Sequence, residues 1–203
     1  MEMSDQARGF ALMIALAAWV SLGAQFAATS YGTPDIGWLA VAWRLLRFFT
    51  ILTNLMVALT FSLAAVAAVK PGAWWGGGLT LWIGIVGVVN YALLYRPLTG
   101  LDFWADTGLH GVVPVAVFLW WAVSGDKRGL RWPVAVTWLV WPAVYVVYAQ
   151  ARGAVDGVYP YFFTDPGRVG WDGVVVWSLF LCLAFFLAGV VLVWLARVLP
   201  DGT

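Results

Sequence analysis

The chain has 203 residues, of which 63% are hydrophobic and 10% are charged, and its net charge is +1. Soluble domains carry roughly 45–50% apolar and about 25% charged residues, so this composition predicts an integral membrane protein. The small net charge excludes a polybasic nucleic-acid binder. A single cysteine and a single histidine exclude an intrachain disulfide framework and a cysteine or bis-histidine metal centre. We therefore expect no metal and no other cofactor.

Six segments of the chain meet the requirement for a membrane-spanning helix, which is about 20 mainly apolar residues. Polar or Gly/Pro-containing turns separate them, and the clearest of these turns is 124–129. The first apolar run shows no cleavage site that demands its removal, so we expect it to be retained as a span. The predicted spans lie near residues 9–29, 38–69, 73–95, 101–123, 131–150 and 173–199.

These spans predict an all-α, polytopic membrane protein, a six-transmembrane-helix bundle that forms one integral membrane domain over residues 1–203. The second span is longer than a bilayer requires, so we expect its start to lie in the interface or to be broken. The longest predicted loop, 151–172, holds an aromatic run that begins at Tyr159. This run is either a cap over the outer mouth of the bundle or an ordinary interfacial loop.

Lysine and arginine counts predict the orientation, because cytoplasmic loops are enriched in these residues. If the N-terminus is cytoplasmic, that side holds six of them and the opposite side holds five. Two of the five, Arg44 and Arg47, belong to a polar stripe inside the second span, and discounting them leaves six against three. We therefore expect both termini to be cytoplasmic.

The polar stripe consists of Arg44, Arg47, Thr50, Thr53 and Asn54, at successive spacings of three, three, three and one. Residues three or four apart share one face of an α-helix, so a continuous helix would align all five groups. Charge in hydrocarbon is costly. The stripe must therefore face protein or trapped water rather than lipid.

The fourth span carries a second polar face, because Asp102, Asp106 and His110 recur at spacings of four. At 1.5 Å per residue, Thr50 lies ~18 Å into the second span and His110 lies ~15 Å into the fourth. Both spans run inward from the outer surface in the predicted orientation, so the two side chains are expected at similar depth in the outer half. Asn90 of the third span is expected near the same level, whereas Asp102 either joins this cluster or caps its own helix.

The residue types of this cluster match those of nucleophilic catalysis. A threonine hydroxyl is a weak nucleophile until a base takes its proton, and His110 is the only imidazole in the chain. Asp106, one turn away, would orient the imidazole as the acid does in a catalytic triad. The structural alternative is an interhelical ion pair between Arg47 and Asp106. The side chains available to hold an oxyanion or a substrate carboxylate are Arg47, Asn54 and Asn90.

Three short motifs resemble the androgen-induced membrane protein family, and in particular its bacterial FAR-17a-like branch. They are Arg-Phe-Phe-Thr at 47–50, Asp-Thr-Gly-Leu-His-Gly-Val-Val-Pro at 106–114 and Val-Tyr-Pro-Tyr at 158–161. The resemblance follows all six spans in order and spacing. Animal members of this family hydrolyse fatty acid esters of hydroxy fatty acids with a membrane-embedded threonine and histidine.

This resemblance implies that Thr50 is the nucleophile and His110 the essential histidine, and an alignment shifted by one turn would select Thr53 instead. The resulting prediction is a Thr/His-dependent carboxylic ester hydrolase that acts on a lipid or fatty-acyl ester within the bilayer. We expect it in the bacterial cytoplasmic membrane, with its site in the outer half. The alternative is a non-enzymatic membrane protein that binds a lipid or a small solute with the same polar cluster. The oligomeric state stays open.

Overall fold

The computed structural model describes residues 3–201, and regular structure in this part of the chain is helical. Its α-helices are α1 Asp5–Gly32, α2 Trp38–Leu45, α3 Phe49–Ala67, α4 Ala73–Val89, α5 Gly100–Thr107, α6 Val113–Ser124, α7 Val134–Thr137, α8 Val140–Asp156 and α9 Pro166–Val198. Its other helical segments are the π-helical Asn90–Leu94 and Gly108–Val112 and the 3₁₀-helical Phe162–Thr164.

Six helical stretches within residues 3–201 are long and apolar enough to cross a membrane. They are Asp5–Gly32, Phe49–Ala67, Ala73–Leu94, Gly100–Ser124, Val134–Asp156 and Pro166–Val198. This confirms the prediction of an all-α protein with six candidate spans, which is the pattern of a polytopic integral membrane protein.

The second predicted span is broken. The stretch predicted as 38–69 consists of α2 and α3, separated by a turn, and Phe48 in that turn has an extended backbone (φ −89°, ψ 133°). One extended residue resets the helical phase, so side chains before and after it no longer share a face. The prediction of one continuous stripe is therefore wrong, whereas the expectation of a broken start is confirmed.

The five polar residues of the predicted stripe are distributed over three local environments. Arg44 is exposed on α2, and Arg47 is buried in the turn between α2 and α3. Thr50, Thr53 and Asn54 lie in the first turns of α3, where Thr53 and Asn54 are completely buried. Only these last three residues share one helix.

The first four spans form one compact unit, described within residues 3–130 and 196–201. In this unit α1 packs against α3, α5 and α6, while α4 packs against α3 and α6. Close approach depends on glycine at Gly108 and Gly87. A Cβ on Gly108 would overlap the Ser21 hydroxyl of α1, and a Cβ on Gly87 would lie 2.7 Å from the carbonyl oxygen of His110.

A second compact unit comprises residues 131–195, with α7, α8 and most of α9. Helix α8 continues to Asp156, where Gly157 ends it in the left-handed region (φ 71°). The segment Phe162–Thr164 is 3₁₀-helical, and α9 begins at Pro166. The prediction of one long loop over 151–172 is therefore wrong at its start, whereas near its end Gly170 has a non-helical backbone (φ 68°, ψ 167°) that separates residues 166–169 from the long part of α9.

Candidate active site

Thr50 and His110 meet in the first unit although they are 60 residues apart in sequence. The Thr50 Oγ1 lies 3.2 Å from the His110 Nε2, which is within hydrogen-bond distance. Thr50 is the second residue of α3, and His110 is the central residue of the π-helical segment Gly108–Val112. Both side chains are partly buried.

The hydrogen bonds of the imidazole determine which ring nitrogen carries the proton in its neutral form. The His110 Nδ1 lies 3.0 Å from the Asp106 Oδ1 and 3.1 Å from the Asp106 carbonyl oxygen. Both of these atoms are acceptors, so Nδ1 is the protonated nitrogen. The lone pair of Nε2 therefore faces the Thr50 hydroxyl, which donates its hydrogen to it.

The carboxylate of Asp106 has a further partner on the third span. The Asn90 Nδ2 donates to the Asp106 Oδ2 at 3.4 Å, and Asn90 itself is buried. The result is a hydrogen-bonded chain from Asn90 through Asp106 and His110 to Thr50. Within residues 3–201, the polar contacts found for Asp106 are with His110 and Asn90, and its ion pair with Arg47 stays a prediction.

The third and fourth spans each contain a π-helical segment. Asn90 begins the segment Asn90–Leu94 of the third span, and His110 lies in Gly108–Val112 of the fourth. A π-helical turn holds more residues than an α-helical turn, and such turns are frequent at functional sites. Gly87 packs directly against the carbonyl oxygen of His110, which allows the two spans to approach closely there.

Asn54 joins the two helices that carry Thr50 and His110. Its Nδ2 donates to the Thr50 carbonyl at 2.9 Å and to the Leu109 carbonyl at 3.3 Å, so both amide hydrogens are used. No hydrogen-bond partner of the Asn54 Oδ1 is found among residues 3–201. Asn54 therefore positions α3 against the π-helical segment, and its amide has no free hydrogen for the predicted oxyanion contact.

The other residues predicted for the site are Thr53, Arg47 and Tyr159, and each has a different environment from that of Thr50. Thr53 is completely buried, and Thr50 is the threonine that meets His110. Arg47 is 8% exposed in the turn that precedes α3. Tyr159 belongs to the second unit, where its ring packs against Gly153, and its contribution to the site stays a prediction.

Sequence reasoning missed the backbone N–H groups at the start of α3. The first α-type hydrogen bond of this helix runs from the Leu52 N–H to the Phe48 carbonyl. The N–H groups of Thr50 and Ile51 precede it and point out of the helix N-terminus, which carries partial positive charge. A continuous helix over 38–69 would have bonded these groups to earlier carbonyls, so predicting them required predicting the break.

Residues 3–201 contain no group of three or more His, Cys, Asp or Glu side chains arranged to hold a metal ion. Comparisons of the chain with protein-family models, with curated proteins and with solved structures found no match. Its class therefore follows from its own features. It is an all-helical protein with six helices long and apolar enough to cross a membrane, and its first unit holds a hydroxyl–imidazole–carboxylate chain.

Proposed function

We propose that the chain is a membrane-embedded hydrolase of lipid esters, with Thr50 as its nucleophile and His110 as its general base. The observation that carries this proposal is the 3.2 Å contact between the Thr50 Oγ1 and the His110 Nε2, with Nδ1 bonded to Asp106. A nucleophile, a base and a group that orients the base are the three parts of a catalytic triad. The same order of contacts is present here.

The reaction would proceed in two steps. In the first, the Thr50 Oγ1 attacks the ester carbonyl carbon while Nε2 of His110 accepts the hydroxyl proton. The imidazolium then protonates the departing alkoxide, which leaves an acyl–Thr50 ester. In the second step, His110 deprotonates a water molecule that attacks this acyl ester, releasing the fatty acid and restoring the threonine. Asp106 stabilises the imidazolium in both steps.

The N-terminus of α3 is the best-placed group to stabilise the oxyanion. The N–H groups of Thr50 and Ile51 precede the first hydrogen bond of this helix, and helix N-termini bind anions through such groups. Fixed donors of this kind cost no reorganisation during the reaction. Arg47, buried in the turn three residues before Thr50, would add positive charge near this N-terminus.

The substrate class rests on the surroundings of the site and on the sequence resemblance. Thr50 and His110 belong to helices that are apolar enough to cross a membrane, so a long acyl chain can lie beside them without entering water. The motifs at 47–50 and 106–114 resemble those of hydrolases of fatty acid esters of hydroxy fatty acids. The Lys and Arg asymmetry supports cytoplasmic termini and a site in the outer half of the bacterial cytoplasmic membrane.

Covalent labelling of the purified protein by a fluorophosphonate probe tests the nucleophile. Wild-type protein is expected to be labelled, and Thr50→Ala and His110→Ala are expected to lose labelling together with hydrolysis of a long-chain acyl ester. Thr29→Ala is the matched control, because the Thr29 hydroxyl bonds a carbonyl of its own helix, that of Gln25. Loss of labelling in Thr53→Ala alone would assign the nucleophile to Thr53. Full labelling of Thr50→Ala and His110→Ala would refute the hydrolase and leave lipid or solute binding as the function.

A further inference from the structure

A cleft lies between the start of α1 and the end of α3, within the first unit. Its cavity volume is about 380 Å³. It is distinct from the proposed active site, because Ala65 lies about 22 Å along α3 from Thr50 at 1.5 Å per residue. The residues that line it are Asp5, Arg8, Gly9, Leu12, Ala65 and Val66.

Arg8 is fixed in this cleft by the end of α3. Its Nε donates to the Ala65 carbonyl oxygen at 2.7 Å. The carbonyls of the last helical turn have no intrahelical donor, and the Val69 N–H bonds Ala64 rather than Ala65. The guanidinium therefore caps α3 with Nε, and its two Nη nitrogens form no hydrogen bond with residues 3–201. These two donors remain available to a ligand.

Asp5 supplies the opposite charge on the same face of α1. Positions 5, 8, 9 and 12 follow the spacing of one helical face, and Gly9 leaves open space at the centre of that face. Asp5 is exposed, and it forms no ion pair with Arg8 or with any other cation in the described part of the chain. The cleft thus holds one unpaired carboxylate beside one guanidinium.

The apolar wall of the cleft continues onto the surface of two candidate spans. Leu12 is 51% exposed and Val66 is 80% exposed, and both belong to helices apolar enough to cross a membrane. A soluble phosphate compound would gain nothing from these two side chains. A lipid whose headgroup reaches Arg8 can lay its acyl chain on them, as acyl chains do on other apolar membrane surfaces.

We propose that this cleft binds the headgroup of a zwitterionic phospholipid with a primary ammonium, such as phosphatidylethanolamine. Arg8 would donate two hydrogen bonds to the phosphate, a geometry suited to guanidinium. Asp5 would accept hydrogen bonds from the ammonium, and an acyl chain would lie on Leu12 and Val66. A quaternary ammonium has no N–H to donate and is recognised by aromatic faces, which the lining residues do not provide. An anionic headgroup without an amine would meet repulsion from Asp5.

Lipid binding to the full-length protein in detergent, measured by native mass spectrometry, tests this site. The probes are phosphatidylethanolamine, phosphatidylcholine and phosphatidylglycerol with identical acyl chains. We expect phosphatidylethanolamine to bind most tightly. Asp5→Asn should lower its affinity to the phosphatidylglycerol level, and Arg8→Gln should weaken both lipids about tenfold, as expected for a lost charge-assisted hydrogen bond.

Two further measurements distinguish specific binding in the cleft from non-specific association of lipid with the protein. Arg128→Gln is the matched control, because the Arg128 guanidinium is exposed and already bonds Asp126 at 3.0 Å, and it should not change lipid binding. Glycerophosphoethanolamine, which has the headgroup without acyl chains, should not compete at equal concentration. Equal binding of the three lipids to wild type, or unchanged phosphatidylethanolamine binding in Asp5→Asn, would overturn the assignment. Arg8→Gln also removes the cap of α3, whereas Asp5→Asn leaves that contact intact.

Discussion

The two ring nitrogens of His110 have different partners. Two acceptor oxygens of Asp106 lie at Nδ1, and the Thr50 hydroxyl lies at Nε2. Residue spacing predicted this pairing in part. The four-residue separation of Asp106 and His110 indicated an i,i+4 contact, and the helical rise placed Thr50 and His110 at one depth. The role of Asn54 was not predictable in this way, because it depends on the Leu109 carbonyl of another span.

Removal of the Asp106 charge should disable the base without unfolding the protein. Asp106→Asn no longer stabilises an imidazolium, and its amide can also favour the wrong tautomer of His110. We expect ester hydrolysis to fall by about 10²–10⁴-fold, the usual contribution of general acid–base catalysis, with normal solubility and helicity. Asp102→Asn is the matched control, since Asp102 is exposed in the first turn of α5. Equal activity of the two variants would contradict the orienting role of Asp106.

At the scale of the helices, the apolar runs predicted the spans, but three local departures from regular helix were not predictable in detail. The break before Phe49 and the two π-helical segments leave the hydrophobic content of the runs unchanged, so hydropathy alone cannot detect them. The contact of Gly108 with Ser21 is tertiary. A sequence shows that Gly108 is small but not which neighbour occupies the space.

The end of α3 offers a substitution that is independent of catalysis. Ala68 caps this helix in the left-handed region (φ 53°), which costs a non-glycine residue roughly 1–2 kcal/mol. Ala68→Gly removes this strain but adds freedom to the unfolded chain, so we expect a net gain of ~0.5–1 kcal/mol. Thermal unfolding in detergent should show a midpoint raised by about 2 °C. The control is Ala64→Gly, inside the same helix, which should lower the unfolding midpoint. A lower midpoint for Ala68→Gly would contradict the backbone strain at Ala68.

At the scale of the whole molecule, composition predicted the class, since six helices apolar enough to cross a membrane are present. The chain nevertheless divides into two compact units, and the proposed site lies within the first. The boundary near residue 131 follows the polar turn 124–129, but a polar turn also follows spans that end at no such boundary. Packing between helices determines such a boundary, and packing partners are not encoded in the hydropathy of single runs.

Acid stability of the whole protein should depend on the loop before this boundary. Hydrogen bonds from Arg128 hold the pKa of the Asp126 carboxyl below its ordinary value. A carboxyl with a lowered folded-state pKa contributes stability above its unfolded pKa of about 3.9 and loses it as the pH falls through the folded value. The unfolding midpoint of wild type should therefore fall more steeply below about pH 4 than that of Asp126→Asn, by roughly 2 °C or less.

The control for Asp126→Asn is a substitution at a carboxylate that lacks a cationic partner. Asp35 is exposed in the turn after α1 and forms no ion pair within residues 3–201. Asp35→Asn should follow the wild-type acid profile. Identical acid profiles for wild type and Asp126→Asn would show that the pair with Arg128 contributes nothing to folding.

The π-helical turn at Gly108–Val112 also makes the fourth span unusually sensitive to its own length. Such a turn accommodates about one residue more than the α-helix around it. Deleting Gly111 would let the span close into regular α-helix, which would still be long and apolar enough to cross a bilayer. The residues on either side would keep nearly their present phase, because the π-helical turn had absorbed the extra residue, but His110 would leave the wider turn that holds it beside Thr50. A single-codon loss could thus leave a well-inserted membrane protein whose two proposed catalytic residues no longer meet.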